Sequence, residues 1–233
     1  MISRDAAWSV LGQVRDPELD RPITDLGFVA DLRIGADSSV RVELRLPTYF
    51  CAPNFAWLMV ADARDALAAI CPRVEVVLRD HFVAEEINAG VAAAGSFAAS
   101  FGGAEDPELA RLRTTFERKA HLAAQDRLAR ALVSAGLDPG ELAAASMDTA
   151  VRLAPDAAAA VARRRARLGL VSGYALCDDA GQPLTAERLP GWLRFARTVR
   201  VSIDGNAGLC RGLLETRYGL GRTRPAPLMS GGG

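Results

Sequence analysis

The hydrophobic positions of the first hundred residues change period three times. Ala7, Val10, Leu11 and Val14 recur at helical spacing, which predicts a helix over 4–14. Asp16-Pro17 ends it, because proline disfavours helix in the residue before it. Two stretches of period two follow. Phe28, Ala30, Leu32 and Ile34 share one face, then Val40, Val42, Leu44 and Leu46 do the same, with Arg41, Glu43 and Arg45 turned to solvent. The polar run from Gly35 to Ser39 between them reads as a hairpin loop. After Pro47 comes Thr48-Tyr49-Phe50-Cys51-Ala52-Pro53, leading into a helix over about 54–70. Pro53 suits its first turn, and Phe55, Met59, Ala66 and Ile70 mark the expected inner face. Pro72 closes this helix, Val74, Val76 and Leu78 make a third strand, and a short helix near 84–94 completes an α-β-β-α-β-α order over residues 1–96.

The second half is patterned differently. Residues 97–105 are small and glycine-bearing and read as a linker. Asp106-Pro107-Glu108 opens a long helix with Leu109, Leu112, Phe116, Ala120 and Ala123 inward, ended by Gly136. Asp138-Pro139-Gly140-Glu141 has capping-box spacing, and a further helix over about 155–168 stops at Gly169. Tyr174–Cys177 and Gln182–Leu184 around a turn predict a small hairpin. A helix from Thr185 to about Arg197, a strand from Val199 to Ile203, a turn at Asp204-Gly205-Asn206 and a last helix from Gly208 to Tyr218 follow. Residues 106–218 are thus expected as a mainly helical client- or partner-binding domain with a small β element, and 219–233 as a flexible tail. The fold class is α/β (α+β), with a three-stranded mixed sheet in the first unit.

Composition narrows the function classes. Half of the 233 residues are hydrophobic and 24% are charged, which is ordinary for a globular protein. Lys119 is the sole lysine, so lysine chemistry has one candidate. Formal charge is zero overall, yet residues 1–104 carry 9 basic and 14 acidic side chains and the remainder 19 and 14. The arginines of the basic half alternate with alanines and lack interleaved aromatics, which favours a solvated helix surface over a nucleic-acid interface. No apolar run reaches the ~20 residues that span a bilayer, and Arg4 and Asp5 have no apolar stretch behind them, so neither membrane span nor leader peptide is expected. Four widely separated cysteines (Cys51, Cys71, Cys177 and Cys210) suit a reducing cytoplasm better than a disulfide framework.

Topology turns the first unit into a site. A right-handed crossover makes the second and third strands parallel, so their carboxyl ends lie side by side. Cys51 follows one end and Asp80 and His81 the other, while Thr24 and Asp25 arrive at the same edge as they enter the first strand. Thiol, imidazole and carboxylate are therefore expected to converge where open α/β sheets bind ligands. Cys51 precedes a helix N-terminus, whose partial positive charge favours a thiolate, both nucleophile and soft metal ligand. A buried cysteine acting as a small hydrophobe fits the same position. Cys210, read at a turn-to-helix junction beside Arg211, is a second thiol with the same two readings, and a metal bridge between Cys51 and Cys210 is a weaker expectation. Cys71 and Cys177 read as structural, and His121 as a surface or capped histidine.

Val14-Arg15-Asp16-Pro17-Glu18, Ile23-Thr24-Asp25-Leu26-Gly27 and Cys51-Ala52-Pro53 stand in an order that resembles a known family. It is the small metal–sulfur cluster assembly domain shared by the phenylacetate-oxygenase accessory protein PaaD, the bacterial assembly factor SufT and a eukaryotic cytosolic iron–sulfur targeting factor. The chain departs from the family pattern in three places. Ala52 separates the cysteine from the proline, Thr48 is displaced from the family's threonine, and Asp80-His81-Phe82 replaces an aromatic-proline stretch.

The resemblance implies help in assembling or inserting iron centres, with transient iron or an Fe–S cluster at Cys51, Asp25, Asp80 and His81. Its long extension resembles accessory proteins of bacterial multicomponent oxygenases, so the implied partners are a client oxygenase or other metalloprotein, a chaperonin and other assembly factors. The expectation is a cytoplasmic accessory protein and not an enzyme. A metal-independent adaptor or chaperone for oxygenase folding is one alternative. A thiol-dependent enzyme with Cys51 as nucleophile and His81 as base is the other, disfavoured because no oxyanion, phosphate-loop or His/Cys metal motif accompanies it.

Overall fold

The computed structural model describes residues 2–101 and 107–220. The expected helix cap at Asp106 and most of the 219–233 tail lie outside the described residues. The first unit runs α1 (Arg4–Leu11), β1 (Val29–Ile34), β2 (Val40–Arg45), α2 (Pro53–Ala68), β3 (Val74–Arg79) and α3 (Ala84–Ala92). Its sheet has the order β1-β2-β3, with β1 antiparallel to β2 and β2 parallel to β3, as the crossover requires. Val40, Val42, Leu44 and Leu46 are all buried, so the alternation of β2 is realised in full. On the opposite face Arg41 pairs with Glu75 and Arg79 with Glu43 across the parallel strands.

Two local readings are corrected. In β1 the register slips between Val29 and Asp31, so Ala30 is an extra residue and is exposed, while Phe28 and Leu32 stay buried. A bulge of this kind breaks strict alternation without breaking the strand. In α2 the buried stripe is Ala56, Met59, Val60, Ala63 and Leu67, not the expected Phe55, Met59, Ala66 and Ile70. Ile70 lies past the helix end and is 45% exposed. Phe55 instead meets Phe116 edge to face at 5.0 Å.

A short helical turn, α4 (Phe97–Ser100), interrupts the stretch read as linker, capped by the Ser96 hydroxyl. The helical half comprises α5 (Pro107–Ser134), α6 (Pro139–Ala144), α7 (Met147–Leu153), α8 (Pro155–Leu168) and α9 (Leu189–Tyr218). Asp138 and Glu141 form the reciprocal capping box that starts α6. Gly169, at φ +62, ends α8 in the left-handed region that glycine tolerates. The expected hairpin survives as a turn with Gly181 at φ +79 and a single bridge between Cys177 and Pro183.

The largest correction concerns α9. The stretch read as helix, strand, turn and helix is one 30-residue helix. Val199, Val201 and Ile203 alternate like a strand, but burial recurs at Ala196, Ile203, Ala207 and Leu214, a helical stripe. Arg200 fixes the local geometry by pairing with Asp204 one turn on (3.1 Å) and with Asp126 of α5 (2.5 Å). Tertiary contacts here override the β preference of valine.

Two cores result. The first collects the sheet, α1, α2 and α3 and recruits Ala207 and Leu214 from α9; the second collects α5 to α8, Ala175, Leu176, Leu184 and Leu189. Polar ties join the halves. Arg113 of α5 forks onto Asp62 of α2 (2.8 and 3.0 Å). Asp20, in the loop after α1, accepts from Arg15 Nε (3.0 Å) and from Arg164 Nε of α8 (2.9 Å), with Arg164 buried.

Candidate functional site

The carboxyl edge of β2 and β3 is where the chemistry-bearing residues gather. After β2 the chain turns through Thr48 to Cys51 and enters α2 at Pro53, where the missing N–H costs nothing. Cys51 is half-buried, and its Sγ lies 3.3 Å from the Thr48 hydroxyl. After β3, Asp80 adopts φ +53 and His81 turns inward, only 5% exposed. His81 Nε2 stands 2.7 Å from the main-chain oxygen of Cys51, and Val83 N–H approaches Nδ1 at 3.4 Å. One tautomer satisfies both, with the proton on Nε2. Burial holds the His81 pKa below its ordinary 6.5, opposed by the Cys51 carbonyl and assisted by the charge of Arg217. The imidazole is therefore a neutral strut that fixes the Cys51 backbone; its Nε2 is spent on a carbonyl and not on the thiol.

The other expected members are placed differently. Asp25 is exposed, and its carboxylate meets the Thr24 hydroxyl at 3.4 Å instead of Cys51 or His81. The Asp80 carboxylate accepts from Tyr218 Oη (3.1 Å). Among the described residues, no group of three or more His, Cys, Asp or Glu side chains is arranged to hold a metal. The expected four-residue set of Cys51, Asp25, Asp80 and His81 is thus not assembled. The edge holds instead a thiol on a histidine-braced loop.

Helix α9, the last among the described residues, is tied to that edge, which the sequence reading missed. Arg217 donates to the carbonyls of Leu46 (3.0 Å) and Asp80 (2.6 Å), tying α9 to the ends of both parallel strands. Arg45 stacks over the Tyr218 ring at 4.9 Å. Leu214 packs beside Gly27, where a Cβ would stand 3.2 Å from Leu214 Cδ2 and where φ is +75. Only glycine fits that turn without strain. The helical stripe in α9 was the available signal, hidden by the apparent strand.

Cys210 belongs to this stripe. It sits inside α9, not at a turn-to-helix junction, and it is half-buried against the first core. Of Leu209, Leu213 and Leu214, expected around it in a core, Leu214 is buried at 1% exposure, while Leu209 and Leu213 are 62% and 40% exposed. Burial pushes its pKa up to about 11, with Asp16, Cys51 and Glu18 adding to the rise. The expected lowering by Arg211 is overturned, since Arg211 points to solvent.

Beside Cys51 the surface is aromatic. Tyr49, Phe50 and Phe82 are 47%, 76% and 42% exposed, with ring centroids 5.0 to 6.3 Å apart. Cys71 is buried and donates to the Ser38 and Arg73 carbonyls, a structural role. Cys177 is likewise buried, against Arg165 (3.2 Å). His121 is corrected: it lies 2% exposed within the second core.

Residues 4–78, from α1 through β3, match the family model of iron–sulfur cluster assembly proteins. The likeness covers about a third of the chain. Iron–sulfur cluster carrier proteins of Mycobacterium bovis and Mycobacterium tuberculosis are 51% identical to the chain over 43 residues, 18% of this chain and 11% of theirs. An uncharacterized protein of Methanocaldococcus jannaschii, MJ1129, is 24% identical over 90 residues, 38% of this chain and 93% of that protein. The chain spans about a tenth of the length of the carrier proteins it matches. No solved structure matches it. The matched residues include the Cys51 loop, and α9 lies beyond them. No helix among the described residues is long and apolar enough to cross a membrane.

Proposed function

We propose that this chain is an accessory factor that takes up an iron–sulfur cluster as cargo at Cys51 and passes it to a metalloprotein client. The observation that carries the reading is the placement of Cys51 on the exposed edge of an assembly domain, beside an unpartnered aromatic surface. A half-buried thiol on a braced loop is accessible to a client's thiolates, which a core cysteine is not. Tyr49, Phe50 and Phe82 offer rigid apolar contacts of the kind enriched at protein interfaces. The helical half is the client- or partner-binding region, and the client is an oxygenase with an Fe–S or di-iron centre, working in the cytoplasm. Thiol catalysis is less well supported, because the imidazole nearest Cys51 binds its carbonyl.

The test is anaerobic reconstitution of the full chain with iron and sulfide, followed by transfer to an apo oxygenase. Iron and sulfide bound by wild type, lost in Cys51→Ser and delivered to the client, support the reading. A client that gains full iron content and activity equally with Cys51→Ser would show the chain to be a metal-independent adaptor.

A further inference from the structure

A cleft of about 490 Å³ opens where the first unit meets α8. Gln13, Arg15 and Asp20 of the loop after α1 form one wall, and Arg163, Arg164 and Arg167 of α8 form the other. Four guanidiniums thus line it with one carboxylate, and that carboxylate is already shared. Asp20 Oδ1 accepts from Arg15 Nε at 3.0 Å, and Oδ2 accepts from Arg164 Nε at 2.9 Å and from its Nη2. Asp20 and Arg164 are each 8% exposed. Burial holds the Arg164 pKa below the usual arginine range; Asp20 opposes this, and the charges of Arg15 and Arg127 add to it. Arg163 and Arg167 stand one turn apart on α8, are exposed, and make no ion pair or side-chain hydrogen bond among the described residues. An adjoining cavity of about 440 Å³ shares Arg15, Arg164 and Arg167 and continues the cleft to Phe116. Its acids are mostly spent within the chain: Asp62 takes the Arg113 fork, Asp65 pairs with Arg64, and Asp16 accepts two amides. Glu117 is the carboxyl there that acts on Arg167, and burial raises its pKa.

We infer that this cleft binds a small multivalent phosphate, of the pyrophosphate or nucleoside diphosphate kind. Guanidinium forks match phosphate oxygens in shape and charge. As residues i and i+4 of a helix, Arg163 and Arg167 have Cβ atoms about 6 Å apart, which lets them address two linked phosphate groups from one side. Arg15 faces them from the other wall, held in place by Asp20. The surplus of positive charge is compressed into one helical turn. That suits adjacent phosphates, whose charges are equally close, better than the spaced carboxylates of a polyacid. The volume lies in the range of small-molecule sites. A solvated helix surface accounts for Arg163 and Arg167 taken alone. It does not account for two further guanidiniums gathered behind them on a single buried carboxylate. The walls belong to different halves of the chain, so bound phosphate also ties α8 to the loop after α1. Cys51 does not line the cleft, so this site and the proposed function stand or fall separately.

The experiment is isothermal titration of the full chain with pyrophosphate and with adenosine diphosphate, without divalent cations and at constant ionic strength. Wild type is compared with a double variant, Arg163→Ala with Arg167→Ala, and with Arg152→Ala, which removes an exposed arginine outside the cleft lining. The substituted side chains are exposed and without an ion pair among the described residues, and circular dichroism confirms that each variant is folded. Saturable binding is expected in wild type and in Arg152→Ala, weakened at least ~10-fold in the double variant, the scale of one lost charge-assisted hydrogen bond. Both ligands should also raise the Tm of wild type. No saturable heat with either ligand, or equal weakening in Arg152→Ala, overturns the inference. Citrate bound as tightly as pyrophosphate overturns the choice of phosphate. A single-stranded oligonucleotide bound more tightly than either phosphate, and lost in the double variant, makes the cleft part of a nucleic-acid surface and overturns it too.

Discussion

Two buried titrating groups set opposite pH dependences, and replacing one exposes the other. His121 is 2% exposed in the second core. Arg165 Nε donates toward its Nε2 (3.3 Å), and Gln125 Nε2 stands 3.4 Å from Nδ1, with Gln125 Oε1 committed to the Cys177 amide (2.8 Å). A neutral imidazole accepts at one nitrogen only, here Nε2 from Arg165, and a second ring proton would set N–H against that donor. Burial, with the charges of Arg165 and Arg164, lowers the pKa from 6.5 to about 4. Between those pH values the unfolded chain binds a proton that the folded chain refuses. Stability therefore falls on acidification across that window, by roughly 3 kcal/mol in all.

Asp16 works the other way. Burial raises its pKa from 3.8 to about 6, against the lowering effect of the Leu19 and Glu18 amides that it accepts. The folded chain holds a proton there that the unfolded chain has lost. This contribution is present at low pH and disappears as pH rises through about 6, again roughly 3 kcal/mol. In the wild type the two slopes nearly cancel between pH 4 and 6. Asp16→Asn keeps an oxygen for the two amides and removes the titration. Its unfolding free energy relative to wild type should drop by roughly 3 kcal/mol between pH 6.5 and 4. His121→Gln should show the reverse tilt. Urea unfolding followed by circular dichroism at several pH values and constant ionic strength measures both. Parallel wild-type and Asp16→Asn curves over that range would refute the assignment of a buried proton to Asp16.

Three further outcomes are expected. Asp20→Ala leaves Arg164 buried without its carboxylate and should cost about 3–5 kcal/mol in urea unfolding, much of it recovered when Arg164→Met is added. Gly27→Ala forces an L-residue to φ +75 against Leu214 and should destabilise by about 1–3 kcal/mol, read as a lowered Tm. Gly208→Ala, inside α9 with nothing within 4 Å of the new methyl, should stabilise by about 0.5–1 kcal/mol. A turn at that position would reverse the last sign.

The first unit was legible because its hydrophobic periods are long and its connections dictate handedness. The parallel pairing of β2 and β3 followed from Leu46, Cys51 and Val74 to Leu78 without any knowledge of contacts. The bulge at Ala30 was not legible, since an extra residue in a strand leaves no mark in composition. In α9 the local signal pointed the wrong way. Val199 to Ile203 alternates by two, and Asp204-Gly205-Asn206 has turn chemistry, while the helix is held by Asp126, Glu18, Leu46 and Asp80, all remote in sequence. Cys51 and His81 were placed at one edge by topology, but which atoms meet depends on side-chain directions that strand order does not specify. For that reason His81, expected as a site ligand and as a base only in the alternative enzyme reading, stands as a backbone brace.

Helix α9 has one end in each core, with Leu189 in the second and Leu214 in the first. At 1.5 Å per residue, Cys210 lies about 30 Å along the axis from Leu189. One continuous rod therefore joins the sheet edge to the helical half, so a substitution that shifts α9 in either core displaces its contacts in the other.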